Sequence, residues 1–303
     1  MTASLSATQE QGAHVAAAVP PPPLSEAPLA PGLYLVSTPI GNLRDITLRA
    51  LDVLSRADLV LAEDTRVTAK LLNAYGLKKK LQRYDDHMGE AVHPQVMAQL
   101  VAGGRVALVS DAGAPLVSDP GYRLAQAAIA QAIPVIPIPG ASAVIAALTT
   151  AGLPTDRFLF AGFPPARSAA RRTFLEELAP IRATLVFFEG ASRVGDSLKD
   201  MAAVLGPRPA AVARELTKLY ETTVRGSLDE LAENPALQSP KGEIVILVGP
   251  GEAPAATAAD ADTALSAALE RLGPSDAAAE VARALGLSRK DLYRRALALQ
   301  GKA

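Results

Sequence analysis

Apolar residues along this chain fall in short continuous runs more than in strict alternation. LYLVS (33–37), DLVLA (58–62), VALVS (106–110) and IPVIPI (133–138) are each apolar on nearly every residue. Runs of that length match strands covered on both faces. Between them lie segments with helical spacing. Ile46–Ser55 carries Ile46, Leu48, Leu51, Val53 and Leu54, Val67–Tyr75 stops at Gly76, and Val92–Ala102 stops at Gly103-Gly104. Tyr122–Ala132 and Ser142–Thr150 are the next two helices predicted. Strand and helix alternate, which predicts a mainly parallel sheet with helices on both faces.

AGLPTD (151–156) reads as a linker, and a second α/β unit follows. Its strands are FLFAGF (158–163), TLVFFE (184–189), AAVARE (210–215) and EIVILVG (243–249), with helices at 169–178 and 194–205. Two α/β units joined by a short linker leave a cleft, a common place for a ligand. EAPAATAADAD (252–262) is a further linker, and the tail from Ala264 to Ala303 is helical. There, Pro274–Leu285 forms one helix, Gly286-Leu287-Ser288 a tight turn, and Arg289–Leu299 a last helix that Ser288 caps. The expected organisation is therefore a leader at 1–31, α/β domains at 32–152 and 153–251, and a helical extension at 262–303.

Chemistry concentrates where strands end. STPIGNLRD (37–45) follows the first strand, and DAGAPLVSDPGY (111–122) follows VALVS. Both loops are rich in Pro and Gly, as needed for sharp turns and close approach to a ligand. Loops at the carboxyl ends of strands are where open α/β sheets bind. Neither contains lysine or matches GxxxxGK[ST] or GxGxxG, which argues against a phosphate cradle. PGAS (139–142) is a third such turn. DLVLAED runs out into Glu63, Asp64, Thr65 and Arg66. Two roles are open to these charges: chemistry at the cleft mouth, or capping of the following helix with Arg66 paired to a carboxylate. Arg214 and Glu215 likewise form either reactive groups or an internal ion pair. Asp111 either caps its own turn or bonds a ligand.

Composition narrows the picture. Hydrophobic residues make up 49% of the 303, but only 4% are aromatic and Trp is absent. No apolar run approaches the ~20 residues of a membrane span. Cysteine is absent, the histidines are His14, His87 and His93, and no ligand-spaced cluster exists, so no metal is expected. AAAVPPPPLSEAPLAP (16–31) is biased towards polyproline and lacks the features of a signal peptide, so a disordered tail on a cytoplasmic protein is expected. Net charge is −1, so contact with nucleic acid must come from a local patch. From Gly286 onward there are five Lys/Arg and one Asp. The helix–turn–helix pattern with Arg289, Lys290, Arg294 and Arg295 suits nucleic acid, and equally a packing or dimerisation hairpin with a solvated basic face. His87, in RYDDHMGE, and the Lys78-Lys79-Lys80 run read as surface features with substrate contact as the alternative.

STPIGNLRDIT (37–47), AEDTR (62–66), LVSDAGAPLVSDPGY (108–122), PIPGASA (137–143), AGLPTDRFLFAGFPP (151–165), ARELTKLYET (213–222) and KGEIVILV (241–248) together resemble the tetrapyrrole-methylase superfamily, the class III S-adenosylmethionine methyltransferases. The likeness is strongest to its branch of bacterial enzymes that 2′-O-methylate a cytidine ribose in 16S rRNA, and the helical tail matches that branch's extension. The segment Glu189-Gly190-Ala191-Ser192-Arg193 departs from the expected Ser/Thr-His pattern, and PGAS stands where relatives often have PGPS. The resemblance implies two α/β domains with an interdomain cleft and a helix-turn-helix-like extension. It implies S-adenosylmethionine held by Thr38, Pro39, Ile40, Gly41, Asp111, Ala112, Gly113, Ala114, Ser142 and Ala143, and by Phe188, Ala213, Gly242 and Ile244. Glu63, Asp64, Arg66, Arg214, Glu215 and Lys241 are then the catalytic candidates, with Lys218 beside them, and Arg289, Lys290, Arg294 and Arg295 the RNA contacts. The implied partners are 16S rRNA or the small ribosomal subunit and a second copy of the chain. Two rival readings are a methyltransferase of a corrinoid or porphyrin precursor and a non-catalytic ribosome assembly factor.

Overall fold

The computed structural model describes residues 24, 25, 27–85, 89–251 and 258–301. His87, most of the leader and part of the linker at 252–257 lie outside the described residues. The chain divides into two compact units at Ser142/Ala143.

The first unit runs β1 (Gly32–Val36), α1 (Leu48–Arg56), β2 (Leu59–Ala62), α2 (Thr65–Ala74), β3 (Leu81–Arg83), α3 (Gly89–Val101), β4 (Arg105–Val109), α4 (Tyr122–Ala130) and β5 (Val135–Ile138). The strands form one sheet in the order β3-β2-β4-β1-β5, with every pairing parallel. β2 is buried on all four residues, as its unbroken apolar run requires. β3 is a short edge strand without a buried residue. Two apolar layers cover the sheet faces. One collects Leu33, Leu61, Leu108 and Leu124, the other Tyr34, Val36, Leu54 and Ile138. The helix expected from Ile46 begins at Leu48, because Thr47 Oγ1 accepts the Ala50 N–H at 3.1 Å and caps α1, whereas Gly76, at φ +68°, follows α2 as expected.

The second unit begins with α5 (Ala143–Ala151) and continues through β6 (Phe158–Phe160), α6 (Ser168–Leu178), β7 (Thr184–Gly190), α7 (Val194–Leu205), β8 (Pro209–Arg214), β9 (Thr222–Ser227), α8 (Leu228–Glu233) and β10 (Glu243–Val248). α5 buries Val144, Ala147, Leu148 and Ala151, one helical stripe, and packs on β8 and β10. The structural division therefore falls ten residues before the expected boundary at 152. Strand order is β6-β7-β10-β8-β9, and only β6–β7 is parallel. The pairings β7–β10, β10–β8 and β8–β9 are antiparallel. A mainly parallel sheet thus holds for the first unit and is corrected for the second. The reason is that β10 follows β9 and α8 and inserts between β7 and β8 in the opposite direction to both. The core includes Leu175, Leu185, Phe187, Leu198, Met201 and Ile246. A buried ion pair, Arg171 Nη2 to Asp200 Oδ2 at 2.6 Å, ties α6 to α7.

The extension comprises α9 (Ala258–Leu269), α10 (Pro274–Leu285) and α11 (Arg289–Leu299). α9 starts four residues before the expected boundary at 262, inside the segment read as linker, because its alanines are strong helix formers and Asp260 suits a first turn. α10 and α11 match the sequence expectation to the residue. Gly286 terminates α10 at φ +67°, and Ser288 Oγ accepts the Asp291 N–H to cap α11. The three helices share a small core of Ala261, Leu265, Ala277, Val281, Leu292 and Ala296.

Candidate functional site

The parallel register sets the ends of four strands side by side. Ala62 stands opposite Val109, Val109 opposite Val36, and Val36 opposite Ile138. The residues that follow, Glu63, Ser110, Ser37 and Pro139, therefore open along one carboxyl edge. This edge brings together Thr38–Gly41, Glu63–Arg66, Asp111–Ala114 and Ser142, the candidates of the first unit.

Backbone bonds fix the loops to each other. The Thr38 N–H donates to Gly113 O at 2.9 Å and the Gly113 N–H returns to Thr38 O at 3.1 Å. Thr38 Oγ1 donates to Ser110 O at 3.1 Å and Ser110 Oγ to Gly113 O at 3.0 Å. Gly113 sits at φ +81°, a conformation that suits glycine, with Ile40 buried beside it. A Cβ on Gly140 would come 2.8 Å from Ser37 Cβ, so the PGAS turn also needs its glycine. The result is a group of loops tied to one another by backbone and hydroxyl hydrogen bonds along the carboxyl edge of the sheet.

The charged candidates have clear local tasks. Asp111 Oδ1 accepts the Asp64 N–H at 3.0 Å, joining the AEDTR and DAG loops. Asp64 caps α2 by accepting the Arg66 N–H at 2.8 Å. Its carboxylate also pairs with the Arg66 guanidinium, Nη2 to Oδ2 at 2.6 Å, which holds it well below the usual carboxylate range. Both features of the capping alternative are thus present.

Asp119 is the residue that sequence reasoning passed over. It lies in the same loop as Asp111, and burial, then the neighbouring Glu63 charge, push it up to about 6 against a hydrogen bond from Ser110. Its only sequence signal was its place in VSDPGY, since burial of a loop aspartate leaves no periodicity.

In the second unit Phe188, Ala213 and Ile244 sit on β7, β8 and β10. Val245 pairs with both Phe188 and Ala213, and Ile244 with Arg214, so these candidates occupy adjoining rungs of one sheet. Phe188 packs edge-on against Phe160, ring centroids 4.7 Å apart. Gly242 has φ +97°, and a Cβ there would overlap the Glu215 carboxylate. That carboxylate accepts the Glu243 N–H and Lys218 Nζ, each at 2.9 Å, which lowers its pKa. Glu215 is accordingly a clasp for the ends of β8 and β10, and its ion pair is with Lys218. Arg214 donates to Thr222 Oγ1 and the Tyr220 carbonyl, and Lys241 is exposed. In the departing segment, Arg193 pairs with buried Glu189, which also accepts from Ser197 Oγ at 2.5 Å.

On α11, Arg295 pairs with Asp262 of α9 and holds the extension together, whereas Arg289 and Lys290 are exposed and Arg294 pairs with Asp291 one turn away. Lys79 donates to the Ser55 carbonyl at 3.1 Å. Among the described residues no group of three or more His, Asp or Glu is arranged to hold a metal, and no helix is long and apolar enough to cross a membrane.

Residues 32–232 match the family model for tetrapyrrole (corrin/porphyrin) methylases, and residues 255–300 match that for the RsmI C-terminal HTH domain. The chain belongs to the tetrapyrrole methylase family. Its similar relatives include a protein of Mesorhizobium japonicum, 51% identical over 90% of this chain and 94% of that one, and one of Erythrobacter litoralis, 52% identical over 91% and 98%. Both are named ribosomal RNA small subunit methyltransferase I, as is a relative from Escherichia coli O157:H7, 43% identical over 89% and 96%. Among solved structures, the uroporphyrin-III-C-methyltransferase of Thermus thermophilus is 25% identical with a TM-score of 0.51, over 72% of this chain and 93% of that one. The methyltransferase CobJ, 20% identical with a TM-score of 0.55 over 72% and 94%, shares the fold.

Proposed function

We propose that this protein is an S-adenosylmethionine-dependent methyltransferase that modifies the ribose 2′-hydroxyl of a cytidine in 16S rRNA of the small ribosomal subunit. The observation that carries the proposal is a tetrapyrrole-methylase domain joined to a helical extension in one chain, a combination shared nearly end to end with relatives named small-subunit rRNA methyltransferases.

Thr38–Gly41, Asp111–Ala114, Ser142 and Ala143 are proposed to hold the cofactor, with Phe188, Ala213, Gly242 and Ile244 carried over to it by the resemblance. When bound, S-adenosylmethionine supplies a methyl carbon on a cationic sulfur that leaves as a neutral thioether. The protein's task is then to orient the hydroxyl, exclude water and accept its proton. Asp64 and Glu215 are committed acceptors with lowered affinity for a proton, which makes them poor bases. Asp119, at about 6, is matched to accept the hydroxyl proton near neutral pH, with Glu63 sustaining its basicity. Arg66, Arg214 and Lys241 are proposed to meet phosphates, and Arg289, Lys290 and Arg294 to contact rRNA through the extension. A ribosomal substrate supports a cytoplasmic location, and a homodimer is proposed on the resemblance.

The test is transfer of labelled methyl to small subunits that lack ribose methylation, followed by mapping of the product. A 2′-O-methyl group on one 16S cytidine supports the proposal. Cofactor binding without transfer to subunits or free 16S rRNA would move the assignment to a small-molecule acceptor.

A further inference from the structure

The turn between β8 and β9 is tied down by hydrogen bonds, yet it presents apolar side chains to solvent. Glu215 and Thr217 both adopt the left-handed region, at φ +52° and +66°, which side-chain-bearing residues rarely occupy. A set of bonds holds them there. The Glu215 N–H donates to Glu243 O at 3.0 Å, the Lys218 N–H to Glu215 O at 3.0 Å, and the Thr217 N–H to Glu221 Oε2 at 2.6 Å. Leu216 is buried and anchors the turn. The product of this arrangement is Leu219 at 87% exposure and Tyr220 at 68%. Neither side chain belongs to a core cluster.

Two cations lie on the segments that adjoin this turn, whose carboxylates Glu215, Glu221 and Glu243 are engaged by Lys218 or backbone N–H groups. Arg214 lies at the base of the turn, and its hydrogen bonds go to neutral oxygens, the Tyr220 carbonyl and Thr222 Oγ1. Lys241, exposed, precedes the strand that pairs with β8. An exposed aromatic ring on a hydrogen-bonded turn, with an arginine at its base and a lysine just ahead of the neighbouring strand, has the chemistry of a site for a single-stranded nucleotide. The ring offers a face to a base, and the cations meet the flanking phosphates. The apolar surface is two side chains wide, which suits one base better than a protein face.

We propose that the β8–β9 turn is a stacking platform, on which Tyr220 with Leu219 beside it takes an unpaired RNA base while Arg214 and Lys241 meet adjacent phosphates. This assignment rests on the reading of the protein as an rRNA methyltransferase and adds how the strand is held.

The chain has no tryptophan, so Tyr220→Trp carries the sole indole. The variant is titrated with a labelled single-stranded fragment of small-subunit rRNA. Anisotropy of the label reports complex formation, and indole emission reports stacking. The expected result is quenching that tracks the anisotropy. In parallel, Tyr220→Ala is expected to weaken RNA binding roughly 5- to 150-fold, the range for one stacked base. Its melting temperature and affinity for S-adenosylmethionine should stay as in the wild type, and Tyr220→Phe should restore RNA binding. Indole emission that stays constant while anisotropy shows bound RNA would overturn the platform and leave the methyltransferase reading intact. Emission that changes with protein concentration in the absence of RNA would also overturn it, marking the turn as a contact between copies. A wild-type chain that neither binds nor methylates rRNA would overturn both readings.

Discussion

Asp119→Asn is expected to stabilise the first α/β unit at neutral pH while reducing methyl transfer. Burial first, and the Glu63 charge second, push Asp119 from 3.8 to about 6. A rise of roughly two units corresponds to at most ~3 kcal/mol at 1.36 kcal/mol per unit. Asp119 retains partial exposure, and solvent screening brings the figure to ~1–2 kcal/mol. The sign follows from proton binding. Between about pH 4 and pH 6 the folded state holds the Asp119 proton and the unfolded state releases it, so stability falls as pH rises through that window. Below the window both states are protonated and the wild type carries no penalty; above it the penalty is complete. Asparagine cannot ionise and keeps the size and polarity of the side chain. The assay is thermal or urea unfolding of both proteins from about pH 4.5 to 8, together with the pH profile of methyl transfer. The variant should gain a few degrees in melting temperature above pH 6, converge with the wild type at the acid end, and lose activity. Parallel stability curves, or a variant less stable at pH 7.5, would refute the reasoning. Glu63→Gln supplies a cross-check: with the repulsive charge gone, the acid limb of the rate profile moves to lower pH.

Further outcomes are expected elsewhere in the chain. Gly113→Ala forces a Cβ into the left-handed region, costing ~1–2 kcal/mol, and should weaken S-adenosylmethionine binding in calorimetric titration. Asp64→Ala, which strips the cap of α2 and frees Arg66, should lose methyl transfer with cofactor affinity retained, whereas Asp64→Asn keeps an acceptor and most activity in the same assay. Deleting residues 252–303 removes a helical group that has its own core, so cofactor binding should persist while transfer to small subunits falls. Asp200→Ala leaves buried Arg171 without its partner and should lower unfolding stability by ~3–5 kcal/mol, measured by denaturant titration.

Much of this fold is legible in the sequence wherever a strong local signal exists. The ends of α10 and α11 follow from Gly286, which terminates a helix, and Ser288, which starts one. Fully apolar runs such as LVLA announce central strands. Two of the four edge strands, LQR at β3 and TTVRGS at β9, carry no such signal, because their structure comes from pairing with a neighbour. Strand direction in the second sheet was equally hidden, since an apolar run buried on both faces reads the same parallel or antiparallel. The periodicity of α5 showed an apolar stripe but not which sheet it would meet. In the candidate site, loop composition pointed to the residues along the carboxyl edge of the first sheet. What it could not convey was burial and pairing: Asp64 bound to Arg66, Glu215 clasped by Lys218, and Asp119 sequestered beside Glu63.

The order β6-β7-β10-β8-β9 has a consequence for how the chain is made. β7 and β8 never bond to each other; each waits for β10, which the ribosome delivers after both. Until Val248 has emerged, the nascent second unit carries two apolar strand edges facing a gap. Any stop codon before that point yields a polypeptide with its central slot open and prone to aggregate. One placed after Gly251 yields a closed sheet. The helices from Ala258 onward are thus a trailing segment during synthesis, keeping the chain tethered while its last strand slides home.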